Sequence, residues 1–88
     1  MNNTEVIVGS VIAYAGDVSN AQSISKILAS GWIVCDGSAL NMRLYPLLYN
    51  AIGLKYNKPG DAPDIFRLPD YREQSINGLP VAYLMRYK

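Results

Sequence analysis

Five apolar residues, Leu44, Leu47, Leu48, Ala51 and Ile52, fall at i, i+3, i+4, i+7 and i+8, the spacing of one face of an α-helix. Two residues bound that face. Pro46 has no backbone N–H to donate, so it belongs in a first turn, where that N–H has no intrahelical partner anyway. Gly53 stands in the usual position just past a helix end. Together they predict one short helix over about residues 43–52, starting near Met42 or Arg43 with Asn41 just outside. The other segments read as strands and connections. The expected class is therefore α+β, mainly β, with one short helix and long loops.

Residues Val6 to Ala15 are β-branched and aromatic and read as a strand. Val6, Val8, Ser10, Ile12 and Tyr14 alternate with Ile7, Gly9, Val11, Ala13 and Ala15, so both faces are mostly apolar and cover is expected on both sides. Gly16 to Ser25 is polar and turn-rich and reads as a loop. Trp32 to Cys35 reads as a strand closed by a turn at Asp36-Gly37. Tyr56 to Pro63 carries Asn57, Pro59, Gly60, Asp61 and Pro63 and must be irregular. Ile65 to Leu68 is a short strand stopped by Pro69, and Val81 to Tyr87 is the last strand. No linker, repeat or low-complexity tract divides the 88 residues, so residues 1–88 are expected to form a single domain.

Composition narrows the chemistry. There is no histidine and one cysteine. That excludes Ser-His and Cys-His nucleophile pairs, an imidazole base, a histidine-ligated metal and an internal disulfide. Cys35 has no base to activate it and reads as a small buried apolar residue. Asp61 and Asp64 share a Pro/Gly loop but lack the alternating oxygen ligands of a calcium loop, so no metal is expected. No cofactor and no enzymatic activity are expected. A net charge of +1 gives no electrostatic footprint for nucleic acid. The uncharged runs Val6 to Gly16 and Leu44 to Leu54 are too short to span a bilayer. Ala13-Tyr14-Ala15 imitates a signal-peptidase site, but Glu5 sits where positive charge belongs, so no signal peptide is expected. Only 17% of residues are charged, against about 25% in a typical soluble domain. A small domain has much surface, so the missing charge leaves two readings open, poor solubility or surface hidden against other subunits.

Each candidate motif has a plain physical reading. Gly31 permits a tight turn into the strand, and Trp32 is the largest apolar group available, so it is expected as a core anchor. Asp70 and Arg72 follow Pro69, where the carboxylate can bond loop N–H groups and the guanidinium can reach carbonyls or a carboxylate. The pair is expected to act as a structural staple, with ligand binding as the alternative. The seven tyrosines read mostly as half-buried packing residues, and the alternative is a set of exposed rings that stack on sugars. Tyr56, Asn57, Asp61 and Tyr71 are the candidate surface-binding residues, with Asn77 a further polar loop residue.

The motifs also occur in a telling order. Val8-Gly9-Ser10-Val11-Ile12-Ala13-Tyr14 comes first. Gly31-Trp32-Ile33-Val34-Cys35-Asp36-Gly37 follows, then Tyr45-Pro46 with Leu48 leading to Ile52-Gly53 and Tyr56, then Phe66-Arg67-Leu68-Pro69-Asp70-Tyr71-Arg72. This set resembles the phage tail collar domain of short tail fibres and receptor-binding fibres, found also in bacterial proteins labelled microcystin-dependent. The resemblance covers about Val8 to Arg72. It implies family-motif structural roles for Gly31, Trp32, Cys35, Asp36, Gly37, Tyr45, Pro46, Gly53, Phe66, Leu68, Pro69, Asp70 and Arg72.

Larger members continue past the Leu-Pro-Asp motif with a glycine-rich stretch and a receptor-binding region, in some fibres with histidine-ligated metal. Here Glu73 follows Arg72, and a turn at Asn77-Gly78 leads straight to Val81 and the closing strand. The chain is therefore expected to be a minimal collar without the receptor-binding insertion. With seven residues before Val8, no fibre shaft is expected either. The resemblance implies a structural or assembly protein of a phage tail fibre or a phage-derived particle, either a tailocin or a contractile-injection-like assembly. Such a protein is made in the bacterial cytoplasm and resides in the virion. Its implied partners are itself, with a homotrimer as the first guess, and other tail or baseplate proteins. The alternative is a small module for cell-surface carbohydrate. Neither nucleic acid nor membrane insertion is expected.

Overall fold

The computed structural model describes residues 6–76 and 78–88. In chain order the elements are β1 (Val11–Tyr14), α1 (Ala21–Ala29), β2 (Trp32–Val34), β3 (Ala39–Asn41), α2 (Pro46–Ile52), β4 (Ile65–Arg67), β5 (Ser75–Ile76), β6 (Leu79–Pro80) and β7 (Ala82–Arg86). The fold is α+β and mostly β, with two short helices. β7 is the centre of a three-stranded antiparallel sheet in the order β1-β7-β2, with Ile12 opposite Leu84 and Ile33 opposite Met85. β3 pairs with β4, and β5 with β6, each antiparallel. The predicted Asn77-Gly78 turn falls between β5 and β6, and Asn77 lies outside the described residues.

Two helices form where one was expected. α1 replaces part of the predicted Gly16–Ser25 loop. Asn20 caps it, its side-chain oxygen accepting from the Ser23 N–H at 2.8 Å. Ile24, Ile27 and Leu28 then recur at i, i+3 and i+4. α2 is shorter than the predicted 43–52 and begins at Pro46. The residue before a proline is pushed out of the helical region, and Tyr45 sits at φ −131°, ψ 58°. Met42 to Leu44 form a turn instead, held by the Asn41 side chain, which accepts the Arg43 N–H at 2.8 Å.

β1 is also shorter than the predicted Val6–Ala15. Gly9 adopts φ +96°, and the Ser10 N–H donates back to Ile7 C=O at 3.0 Å. A side chain at Gly9 would meet Ala51 Cβ at 3.2 Å, so the chain turns against the end of α2 before the strand starts. The cover expected on both faces of β1 is absent among the described residues: Val11, Ile12 and Ala13 are all exposed. The core consists of Cys35, Leu48, Phe66, Leu68 and Met85, each at most 2% exposed. Trp32 is not among them. It is half-buried at the margin, with the Arg86 guanidinium 5.8 Å from its ring centroid. Cys35, the residue just after β2, takes the central place instead.

Candidate functional site

Two of the motifs clasp each other at the end of β2. The Cys35 N–H donates to Tyr83 C=O at 2.9 Å, which fixes the strand end to β7. Cys35 C=O in turn accepts the Tyr71 N–H at 3.0 Å, and the Gly37 N–H donates to Pro69 C=O at 3.2 Å. Asp36 and Asp70 form a backbone bridge between these bonds. Gly37 sits at φ +80°, and a Cβ there would lie 3.3 Å from Asp70 Cβ. Asp-Gly therefore serves two needs at once: a left-handed turn and room for the facing loop. The Asp36 side chain folds back on its own turn, accepting from the Ser38 N–H at 3.0 Å and from the Ser38 hydroxyl.

Asp70 and Arg72 pair with one another. The Asp70 carboxylate accepts from Arg72 Nε at 2.8 Å, Nη2 at 2.7 Å and the Arg72 backbone N–H at 3.2 Å. The Arg72 guanidinium beside it pulls the Asp70 carboxyl down to about 2. Both side chains remain well exposed.

Tyr45 and Pro46 place α2 on the same assembly. Leu48 is fully buried in the core with Phe66, Tyr49 packs on Phe66 at 5.5 Å between ring centroids, and Tyr45 meets Tyr87 edge-on at 5.6 Å. Gly53 closes the helix, its N–H donating to Tyr49 C=O. Gly31 is buried before β2, and its C=O accepts the Tyr87 N–H at 2.9 Å.

Two of the predicted surface-binding residues face inward instead. Asn57 donates from Nδ2 to Ile65 C=O at 3.0 Å and accepts the Arg67 N–H at 2.9 Å, closing the loop onto β4. The Asp61 carboxylate accepts from Arg67 Nε at 2.9 Å and Nη2 at 3.0 Å, and its side chain is 10% exposed. The Arg67 guanidinium holds the Asp61 carboxyl below its ordinary range. Arg67 Nη1 also reaches Gly37 C=O at 3.2 Å. Arg67 thus ties the Asn57–Asp61 loop to the clasp, a role that sequence reasoning missed. The signal available was an arginine inside a strand motif with an acid six residues upstream. Asp61 is committed to Arg67, and among the described residues no group of three metal-ligating side chains gathers.

Tyr56 and Tyr71 are brought together. The Tyr56 hydroxyl beside it, and then burial, lift the Tyr71 hydroxyl above its usual range. Tyr71 also meets Tyr83 edge-on at 6.0 Å. All seven tyrosines are half-buried. Burial, with Asp36 adding to it, pushes the Cys35 thiol up to about 12, which disfavours the reactive thiolate. Beside the clasp lies a cleft of about 310 Å³ whose lining includes Tyr14, Asp17, Arg72, Val81 and Tyr83. Asp17 is occupied, its carboxylate accepting from the Ser19 N–H at 2.8 Å and from the Ser19 hydroxyl at 2.5 Å. Among the described residues no helix is long and apolar enough to cross a membrane.

The arrangement ties loops together. Comparison with known proteins agrees with a structural role. Protein RhiB of Rhizobium leguminosarum bv. viciae is 40% identical over 62 residues, covering 68% of this chain and 28% of RhiB. The chain thus spans well under half the length of that relative. No solved structure matches it. The family model described as Phage Tail Collar Domain matches residues 9–76, which include all the motif residues of the clasp, and the chain belongs to that family.

Proposed function

We propose that residues 1–88 act as a single, shortened collar domain, a structural component of a phage tail fibre or of a tailocin-like or contractile-injection-like particle, working by self-association. Family membership implies a tail-fibre-like structural role in a virion-associated protein. The observation that carries the finer reading is apolar surface: Ile7 is 79% exposed, Leu44 75%, Leu47 55% and Leu54 53%, in a chain with only 17% charged residues. Such surface is costly in water and suits subunit contacts. The mechanism is interface burial without covalent chemistry. The chain passes from Arg72 to β7 through one small hairpin, which supports a collar lacking the receptor-binding insertion. The trimer that the resemblance implies is the first stoichiometry to test, and neighbouring tail or baseplate proteins are the further partners. Light scattering and native mass spectrometry at micromolar concentration test the reading. A stable multiple of the 9.7 kDa chain is expected, and a monomer across that range refutes it.

A second reading, carbohydrate binding, is favoured by one observation. The cleft beside the clasp combines the rings of Tyr14 and Tyr83 with Arg72, and aromatic walls with a polar rim suit a sugar ring. This moves the candidate contacts away from Asn57 and Asp61, whose polar groups are already used. Binding on a glycan array, lost in Tyr83→Ala, supports it; silence on the array removes it.

A further inference from the structure

The cleft beside the clasp carries a charge pattern that narrows the sugar it could take. Tyr14 and Tyr83 line it with the small apolar groups of Val34 and Ala82, and Asp17 and Arg72 supply its charges. Tyr14 is held in place by a neighbour. A Cβ on Gly16 would collide with the Tyr14 ring and hydroxyl. Gly16 does not have a positive φ, so glycine stands there to make room for the ring and not to make a turn. The ring therefore lies against the Gly16 backbone as a fixed part of the lining. Tyrosine rings offer an apolar face that suits the C–H side of a sugar, and the same face attracts cations.

The charges of the cleft do not cancel. The Arg72 guanidinium is spent on Asp70, which accepts from Nε at 2.8 Å and Nη2 at 2.7 Å, and the Asp36 and Glu73 carboxylates also act on it. Asp17 has no such partner: among the described residues the ion pairs are Asp61 with Arg67 and Asp70 with Arg72. The Ser19 hydroxyl and N–H, which do most to hold the Asp17 carboxyl below its ordinary range, and the Asn20 amide fill three of the roughly four acceptor positions of a carboxylate. A full negative charge and one acceptor position remain at the cleft. At about 310 Å³ the cleft is at the small end of ligand sites, which suits one sugar residue and not a chain of them.

We propose that the cleft is a subsite for a sugar with a free ammonium group, a hexosamine without its acetyl group, its C–H face on the tyrosine rings and its ammonium on the Asp17 carboxylate. The proposal rests on the carbohydrate reading and adds the charge of the ligand. A neutral sugar leaves the Asp17 charge unmatched, and an acidic one sets a second carboxylate against it.

Titration of the nitrogen-labelled protein with the methyl glycosides of glucosamine, N-acetylglucosamine, glucose and glucuronic acid, followed by amide shifts, tests the charge. The glucosamine glycoside should bind about three- to fivefold more tightly than the two neutral ones, the scale of one exposed ion pair, with the glucuronide weakest. Asp17→Asn should erase the preference for the amine and leave glucose binding unchanged. Gly16→Ala keeps every charge but displaces the Tyr14 ring, so it should weaken the neutral and cationic sugars alike, with unchanged far-UV circular dichroism. Shifts from none of the four glycosides refute both this proposal and the carbohydrate reading. Equal affinity for amine and neutral glycosides, tighter binding of the glucuronide, an amine preference that survives Asp17→Asn, or binding indifferent to Gly16→Ala overturns the ammonium subsite and leaves the carbohydrate reading standing.

Discussion

Gly37 is the position where the clasp is most exposed to a single methyl group. Alanine at φ +80° pays the left-handed penalty of about 1–2 kcal/mol. Reduced freedom of the unfolded chain returns about 0.4–1 kcal/mol, which leaves a net backbone cost near 1 kcal/mol. The new Cβ would also sit 3.3 Å from Asp70 Cβ and 3.4 Å from its carboxylate. Asp70 cannot simply swing away, because Arg72 holds both its oxygens and its backbone bridges to Asp36. Overpacking of this kind adds about 1 kcal/mol or more. Gly60 is the matched control: it has φ +89° and nothing within 4 Å of an added Cβ, so Gly60→Ala carries the backbone cost alone. For a domain of this size each kcal/mol lowers Tm by about 4–8 °C. Gly60→Ala should therefore lose about 4–8 °C and Gly37→Ala about twice that, measured by circular dichroism melts in one buffer. Total stability for 88 residues is about 4–13 kcal/mol, so both variants should still fold. If Gly37→Ala melts no lower than Gly60→Ala, the close approach of the two loops is not a determinant of the fold.

Four further outcomes are expected. Leu48→Ala empties a fully buried site and should cost about 2–5 kcal/mol in urea unfolding. Deleting Val81 to Lys88 removes the strand that both β1 and β2 pair with, so the product should lack cooperative unfolding; a folded, soluble truncation contradicts the topology. Asp61 has its carboxyl held down by Arg67, so its stabilisation is present above the ordinary carboxylate value near 3.9 and is lost as pH falls below it. The Tm gap between wild type and Asp61→Asn, scanned by calorimetry from neutral pH down to about pH 2, should shrink over that acid range and stay constant above it. Iodoacetamide should label Cys35 more than about a hundredfold more slowly in the folded protein than in urea, since the thiol is 1% exposed and its titration is pushed up to about 12.

The sequence was most readable where a residue can do only one thing. Asp36-Gly37 and Gly53 each limit the backbone, and the turn and the helix end fall where they stand, while β4 ends at Arg67, one residue short of the expected Leu68. The apolar spacing of Leu48 and Ile52 likewise revealed α2, but its start depended on Tyr45 being a pre-proline residue, a local effect that periodicity ignores. α1 was hidden because Asn20 was read as part of a turn, and the same side chain is a helix cap when apolar residues follow at helical spacing. Trp32 was placed in the core by size, yet a nearby cation holds its face at the margin. Asn57 and Asp61 lie in a polar loop, where side chains usually face water. Their partners lie eight and six residues onward in β4, and nothing local announces such a bond.

The shortage of charge and the excess of exposed apolar groups are linked through how the charges are spent. Asp61 and Asp70 are turned on Arg67 and Arg72, where they fasten loops instead of covering apolar surface. The helix shows the other half of the balance. Of its apolar stripe, Leu48 is fully buried, whereas Leu47 and, just before the helix, Leu44 face outward. The core is therefore too small to absorb the stripe that defines the helix. Each square ångström left in water forgoes about 25 cal/mol that burial would return. The interior is already closed around Phe66 and Leu68, so rearrangement within the domain leaves this stripe in water.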